Sequence, residues 1–185
     1  MKRIVLLVSL VAALSLCVTA QTLINFNGMP KANIPNLMPF YAGMSWENFY
    51  YVTPGLWNGE GPGFVVGPNV NDVVFTGGPM CHATAACGAK FTMSPIMSIM
   101  RVPTFTPVSI LLSAGWHDNY VTVRGYNNGK FVGELRLKAT TTPKVFPFPS
   151  TWRVTELVFT PQFFGNAAAI PWGSAVIYSV AVFDN

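Results

Sequence analysis

Short apolar segments separated by Pro, Gly and Asn residues recur along the chain from Gln21 onward. Segments at this spacing predict strands, and the clusters between them predict turns, because Pro presets φ and Gly supplies positive φ. No window shows a long apolar repeat of 3.6 residues, so we expect minimal helix. The predicted strands are Thr22–Asn27, Trp46–Val52, Gly63–Val66, Val73–Thr76, Lys90–Met100, Val108–Trp116, Tyr120–Tyr126, Lys130–Ala139, Trp152–Thr160 and Val176–Phe183.

The clearest local unit is a hairpin centred on Asn128-Gly129. Near-alternating apolar and polar residues flank this dipeptide, whose backbone preferences suit a tight type I′ turn. Upstream, prolines divide the stretch from Lys90 to Ser113 into a predicted strand, a loop and a second strand. These prolines are Pro95, Pro103 and Pro107.

About ten strands in a working chain of about 165 residues predict an all-β fold in one domain. We expect an antiparallel β-sandwich of jelly-roll kind, because many short strands with turn signals fit two packed sheets. The predicted core comprises Phe26, Trp46, Phe49, Val74, Phe91, Ile110, Leu112, Val121, Val123, Leu135, Leu137, Leu157, Phe159, Ile177 and Val180.

The first 20 residues have the pattern of a secretory signal peptide. A short basic segment, Met1–Arg3, precedes an almost unbroken apolar stretch from Ile4 to Val18, and small residues lead up to Ala20. A membrane-spanning helix needs about 20 apolar residues, and this stretch is shorter. We therefore expect cleavage after Ala20, an extracellular domain over residues 21–185, and no membrane span.

Composition and charge narrow the possible partners. The chain is 51% hydrophobic and only 10% charged, which excludes a chain kept disordered by charge repulsion. Once Lys2 and Arg3 leave with the leader, nine Lys and Arg residues stand against seven Asp and Glu, with no basic cluster. Nucleic acid is therefore not an expected partner.

Two cysteines remain in the mature chain, Cys81 and Cys87. An even pair in a secreted chain predicts a disulfide, which would pin a short loop rather than hold the fold together. A metal site formed by this pair with His82 is the alternative, but the spacing matches no zinc pattern.

The segment Tyr41–Tyr50 resembles the Y-x-G-[LM]-x-W-x-N-F segment of small secreted β-domains. These domains occur in fungi and in bacterial surface proteins with sorting signals. Ile24–Asn27 is similar to their opening strand, Gly125–Gly129 to their mid-chain hairpin, and Asp184-Asn185 to the end of their last strand. The resemblance implies an extracellular jelly roll similar to carbohydrate-binding modules, with function mostly unassigned. The chain departs from the pattern at Asn27, where an Asp is frequent.

No recognisable catalytic set stands out. The chain lacks a G-x-S-x-G nucleophile elbow, and adjacent His117 and Asp118 would point to opposite faces of an extended strand. Gly59–Gly63 lacks the Lys-Ser/Thr of a phosphate loop and predicts a surface loop. We expect no catalysis and no cofactor. If the terminal strands lie side by side, Asn25 and Asp184 are weak candidates for calcium.

Aromatic residues in Gly-, Pro- and Asn-rich segments are the best binding candidates, since planar rings stack on sugar rings. Trp57 and Trp116 head this set, and the alternative is that they close the ends of the core. Trp172 also lies in a loop-like segment. The predicted ligand-binding residues are Trp57, Asn58, Glu60, Trp116, Asp118, Asn119 and Tyr120.

These observations predict a secreted, noncatalytic binding or structural module that recognises cell-wall or matrix carbohydrate. Two alternatives stay open: a secreted effector that acts on a host protein, and a glycan-active enzyme. We expect a monomer whose partner is a polysaccharide or an extracellular protein.

Overall fold

The computed structural model describes residues 21–38, 40–47, 49–58, 61–64, 72–76, 97–161 and 175–184. Within these ranges the protein is built from β-strands, all paired antiparallel, and one 3-10 turn at Pro62–Phe64. The predicted all-β antiparallel class is confirmed. The same ranges contain no helix with the length and apolar character needed to cross a membrane.

Twelve strands follow one another along the described chain. They are β1 (Gln21–Asn25), β2 (Asn36–Leu37), β3 (Phe40–Tyr41), β4 (Met44–Glu47), β5 (Phe49–Val52), β6 (Val73–Thr76), β7 (Met97–Ala114), β8 (Asn119–Asn127), β9 (Lys130–Ala139), β10 (Lys144–Pro147), β11 (Val154–Pro161) and β12 (Ala175–Asp184).

The long strand β7 belongs to two ladders. Its beginning pairs with β4 and β11, which gives the order β3-β4-β7-β11-β8-β9. Its end pairs with β10 and β12, which gives the order β2-β5-β6-β12-β7-β10, with β1 on β12 beside β6. The ring of Phe49 on β5 lies 5.7 Å from that of Phe159 on β11, so side chains of the two ladders pack together. The jelly-roll connectivity stays a prediction.

The predicted break of β7 into two strands is wrong. The strand runs through Pro103 and Pro107, and both prolines lie at irregularities of pairing. The register with β11 shifts across Pro103, and the register with β12 shifts next to Pro107. A proline lacks the N–H that a regular ladder needs, but a bulge leaves a residue unpaired and tolerates it.

Two strands and one turn were predicted correctly from their own residues. Strands Val73–Thr76 and Lys130–Ala139 match the prediction residue for residue. Asn128 and Gly129 have φ values of 48° and 76°, as the predicted type I′ turn requires. The predicted strand Gly63–Val66 is wrong at Gly63 and Phe64, because Pro62–Phe64 forms a 3-10 turn closed by a hydrogen bond from Phe64 N–H to the Gly61 carbonyl. Val65 and Val66 lie outside the described residues.

The inner core joins side chains from both ladders and contains the predicted core residues that the structure describes. All of these are buried except Leu135, which is partly buried against the core; Phe91 lies outside the described residues. Edge-on aromatic contacts run through this core, from Phe26 to Trp46 at 5.4 Å and from Trp46 to Phe49 at 5.6 Å. Such contacts stabilise a core beyond the area they bury.

Tyr41 and Trp46, two residues of the segment Tyr41–Tyr50, have a structural role in this fold. The Tyr41 hydroxyl donates to the Asn25 carbonyl at 2.9 Å, and the Trp46 indole N–H donates to the Tyr41 carbonyl at 3.1 Å. The first bond fastens the β3–β4 hairpin to the end of β1, and the second closes the hairpin on itself. The motif therefore organises the N-terminal core, and no functional role for it follows from these contacts.

A second apolar cluster, the outer cluster, covers the opposite face of β5, β6, β7 and β12. Val74 and Ile177 point into the inner core, and their neighbours point the other way. This sheet is therefore apolar on both faces, and Trp57, Phe64 and Trp116 pack on its outer side. The outer cluster comprises buried Val52, Phe64, Val73, Phe75, Val176 and Tyr178, with partly buried Tyr50, Trp57, Leu111 and Trp116 against them.

Candidate functional site

Trp57 and Trp116 meet on the outer cluster. Their ring centroids are 5.9 Å apart and their planes are inclined at 84°. Trp57 belongs to the turn segment after β5, and Trp116 follows the end of β7. Both side chains are partly buried, which leaves part of each indole accessible to solvent. We call this pair the aromatic corner.

Two phenylalanines hold the corner in place. Phe75 on β6 stacks on Trp57, with centroids 5.7 Å apart and planes only 15° from parallel. Phe64 meets Trp57 edge-on at 5.5 Å and Trp116 at 5.1 Å. Phe64 itself is fully buried. The two indoles therefore rest on a packed aromatic base and keep a fixed angle to each other.

The loop that carries Trp57 is anchored to the sheet through Gly63. Its N–H donates to the Gly115 carbonyl at 2.8 Å. Its carbonyl accepts from the Ser113 hydroxyl at 2.5 Å and from the Tyr178 hydroxyl. Burial raises the pKa of Tyr178 to about 12, so this hydroxyl stays protonated and donates over the physiological pH range.

Glycine is required at two positions of this loop because of close packing. A Cβ at Gly63 would lie 1.6 Å from the Ala114 carbonyl oxygen, which is backbone and cannot turn aside. A Cβ at Gly61 would lie 2.5 Å from both the Gly115 oxygen and Trp116 Cδ1. Both glycines are buried, so the predicted surface loop is wrong for these two residues. Their missing side chains let the loop approach the corner.

The start of the loop is fixed by a buried polar contact that the sequence did not reveal. The Thr53 hydroxyl donates to the Asp72 carboxylate and accepts from the Ala32 N–H at 3.0 Å. Thr53 and Asp72 are both buried. Asp72 directly precedes a strand, and nothing in that position distinguishes it from a solvated carboxylate.

The other predicted ligand residues do not all join the corner. Asn58 is exposed next to Trp57, and an Asp118 oxygen accepts from the Thr141 N–H at 3.3 Å. Asn119 is only 3% exposed because it enters the β8–β9 ladder opposite Ala139, so its predicted role at the rim is wrong. The Tyr120 ring lies 4.2 Å from the Arg136 guanidinium carbon, in a cation–π contact between β8 and β9.

Several predictions fall outside the described residues. They concern the leader, the Cys81–Cys87 disulfide, Glu60 and Trp172. Cleavage after Ala20 and the disulfide therefore stay predictions.

The weak calcium candidates are separated by the strand pairing. β1 does pair with β12, but antiparallel, so Asn25 lies opposite Ser179 and Gln21 opposite Phe183. Asp184 is thus five residues along β12 from the position facing Asn25, or about 16 Å at strand spacing. The proposed pairing of Asn25 with Asp184 is wrong. In the described ranges, no three His, Cys, Asp or Glu side chains group closely enough to hold a metal ion.

No protein-family model matches the chain, and no curated protein is significantly similar to it. The chemistry of the corner must therefore be judged from its own side chains. Its two indoles, and the buried Phe64 and Phe75 beneath them, carry no charge and no acid or base. The exposed parts of Trp57 and Trp116 can bind an apolar or amphipathic surface.

Proposed function

We propose that the protein is a noncatalytic extracellular binding module that holds a carbohydrate in the aromatic corner. The observation that carries this proposal is the fixed pair of partly exposed indoles, Trp57 and Trp116, 5.9 Å apart. The C–H face of a pyranose packs on an indole, and rings that are already ordered lose little entropy on binding. The predicted leader is consistent with a ligand outside the cell.

The angle between the rings limits the kind of carbohydrate. Planes inclined at 84° cannot form one flat platform, which is what the surface of a crystalline polysaccharide would need. A right-angled corner fits a single sugar ring, stacked on one indole with its edge against the other. Asn58 is exposed beside Trp57 and supplies hydrogen-bonding groups for hydroxyls. We therefore expect binding to soluble oligosaccharides or chain ends.

The test is calorimetric titration with soluble chitin, β-glucan and cellulose oligosaccharides, beside pull-down on the insoluble polymers. Trp57→Ala and Trp116→Ala should each weaken oligosaccharide binding about tenfold, since one stacking contact is worth about 1–2 kcal/mol. Trp57→Phe should retain most of the affinity. Phe131→Ala is the matched control, because Phe131 is an exposed aromatic whose described ring contact is with Tyr126.

Thermal unfolding of each variant separates loss of binding from loss of fold. The proposal fails if the wild type binds none of these glycans. It also fails if folded Trp57→Ala and Trp116→Ala bind as tightly as Phe131→Ala.

A protein ligand is the second candidate, and a separate observation favours it. Ile34, Leu37 and Phe40 are 61%, 60% and 69% exposed within one short segment. Neighbouring exposed apolar side chains are common at protein interfaces. If the glycan titrations are negative, Leu37→Asp and Phe40→Asp are the variants with which to screen extracellular protein partners.

A further inference from the structure

β9 is the last strand of its ladder. One of its edges pairs with β8 from Lys130 opposite Asn127 to Ala139 opposite Asn119, with a bulge at Val132. Within the described part of the chain, no strand pairs with its other edge. A ten-residue edge presents a row of backbone donors and acceptors that a second strand can satisfy. We propose that this edge pairs with β9 of a second copy, forming a symmetric antiparallel dimer.

Side-chain charges select one register for that dimer. Residues opposed across antiparallel strands point to the same face, so registers differ in steps of two residues. Centred on Leu135, the dimer sets Glu134 opposite the partner's Arg136, twice by symmetry. Centred one residue later it would oppose two arginines, and centred one residue earlier it would oppose two glutamates. The charges of β9 are therefore self-complementary in the register centred on Leu135.

The other residues of β9 fit the same register. Leu135 would meet the partner's Leu135 at the axis, and Leu135 is only partly buried in a single copy. In the regular part of the strand around the axis, Gly133–Leu137, the one cation is Arg136, and it opposes the partner's Glu134.

In a single copy Glu134 makes its ion pair toward β8, on the side away from the free edge. Its carboxylate accepts from Arg124 Nε at 2.6 Å on the neighbouring strand, with both side chains 44% exposed. The dimer would extend this exposed pair into a row of three charges: Arg124, Glu134 and the partner's Arg136. Charge networks contribute more than isolated surface pairs.

This inference does not depend on the proposed carbohydrate site. None of the residues that form the aromatic corner lies on β9. A dimer would carry two corners, which would raise the affinity for a multivalent glycan surface.

The experiment is sedimentation velocity of the purified chain over a wide concentration range, with paired charge variants. Glu134→Arg places arginine opposite arginine, and Arg136→Glu places glutamate opposite glutamate. Each should raise the dimer dissociation constant at least about tenfold. An equimolar mixture of the two variants should dimerise again, because every arginine then opposes a glutamate of the other variant.

Lys130→Glu is the matched control, since it makes the same charge change as Arg136→Glu on the same strand, beyond the bulge and away from the Glu134–Arg136 contact. It should dimerise like the wild type, and circular dichroism should show that all variants keep the β fold. A wild type that stays monomeric at every concentration overturns the proposal. So does a mixture of the two charge variants that associates no better than either variant alone.

Discussion

Gly63→Ala is the substitution that tests how the loop and the aromatic corner depend on each other. The added methyl would lie 1.6 Å from the Ala114 carbonyl oxygen and 2.9 Å from that of Gly115. Both are backbone atoms, one at the last residue of β7 and one just after it, so a side-chain rotation cannot relieve the overlap. The loop must move away from the sheet.

The cost follows from what that movement breaks. Gly63 makes one hydrogen bond through its N–H and accepts two through its carbonyl, and each contributes about 1 kcal/mol net. Phe64, the next residue, is fully buried, and partial exposure would add about 1–2 kcal/mol. We expect the free energy of unfolding to fall by about 3–5 kcal/mol in total.

The assay is urea unfolding monitored by tryptophan fluorescence, with Gly55→Ala as the matched control. Gly55 lies in the same loop at φ 80° with nothing near its Cβ position, so alanine there meets only backbone strain of about 1–2 kcal/mol. Gly63→Ala should therefore be the more damaging change, with loss of the native Trp57 and Trp116 environment. If both variants lose the same small amount of stability, the close packing of Gly63 does not control the loop.

Three further predictions concern other parts of the molecule. Burial raises the pKa of Tyr178 from 10.0 to about 12, so its contribution to stability is complete below pH 10 and is lost as pH rises toward 12. Urea unfolding measured across that pH range should show that the wild type loses up to about 2 kcal/mol more unfolding free energy than Tyr178→Phe. Equal losses in the two proteins would contradict the burial argument. Ala42→Gly should stabilise the fold by about 1 kcal/mol, since Ala42 holds a φ of 51° that favours glycine, and an unchanged melting temperature would count against this strain. Intact-mass measurement of secreted protein should show Gln21 as the first residue and two hydrogens fewer than the reduced mass; alkylatable Cys81 and Cys87 thiols would refute the disulfide.

The parts of the fold that the sequence predicted are those decided by local chemistry. Asn128 and Gly129 adopt positive φ because of their own backbone preferences, and β8 and β9 follow on either side. The prediction that prolines divide β7 into two strands was wrong because a proline ends a regular strand but can lie within a bulged one. Whether a bulge forms depends on strands β11 and β12, which are distant in sequence.

The loop before the 3-10 turn could not be predicted for the same reason. Gly61 and Gly63 have the composition of an exposed turn, but they are buried against residues about 50 positions later in the chain. Ser113 and Tyr178 give no local signal that they will anchor a glycine carbonyl. The apolar sequence of β6 does indicate a strand that is buried on both faces. It does not indicate which residues cover the outer face.

The aromatic corner shows how far loop composition can locate a site. Trp116 stays outside the ladders and reaches Trp57, whereas Asn119, three residues later, is already opposite Ala139 and buried. Polar and aromatic residues of a loop therefore remain candidates for the binding site only up to the residue at which strand pairing begins. Because Trp57 also packs on Phe64 and Phe75, its removal weakens the outer cluster as well as the corner. Trp57→Phe keeps an aromatic ring on Phe75 and should keep most of the affinity, so the difference in unfolding free energy between it and Trp57→Ala measures the packing that the larger truncation removes.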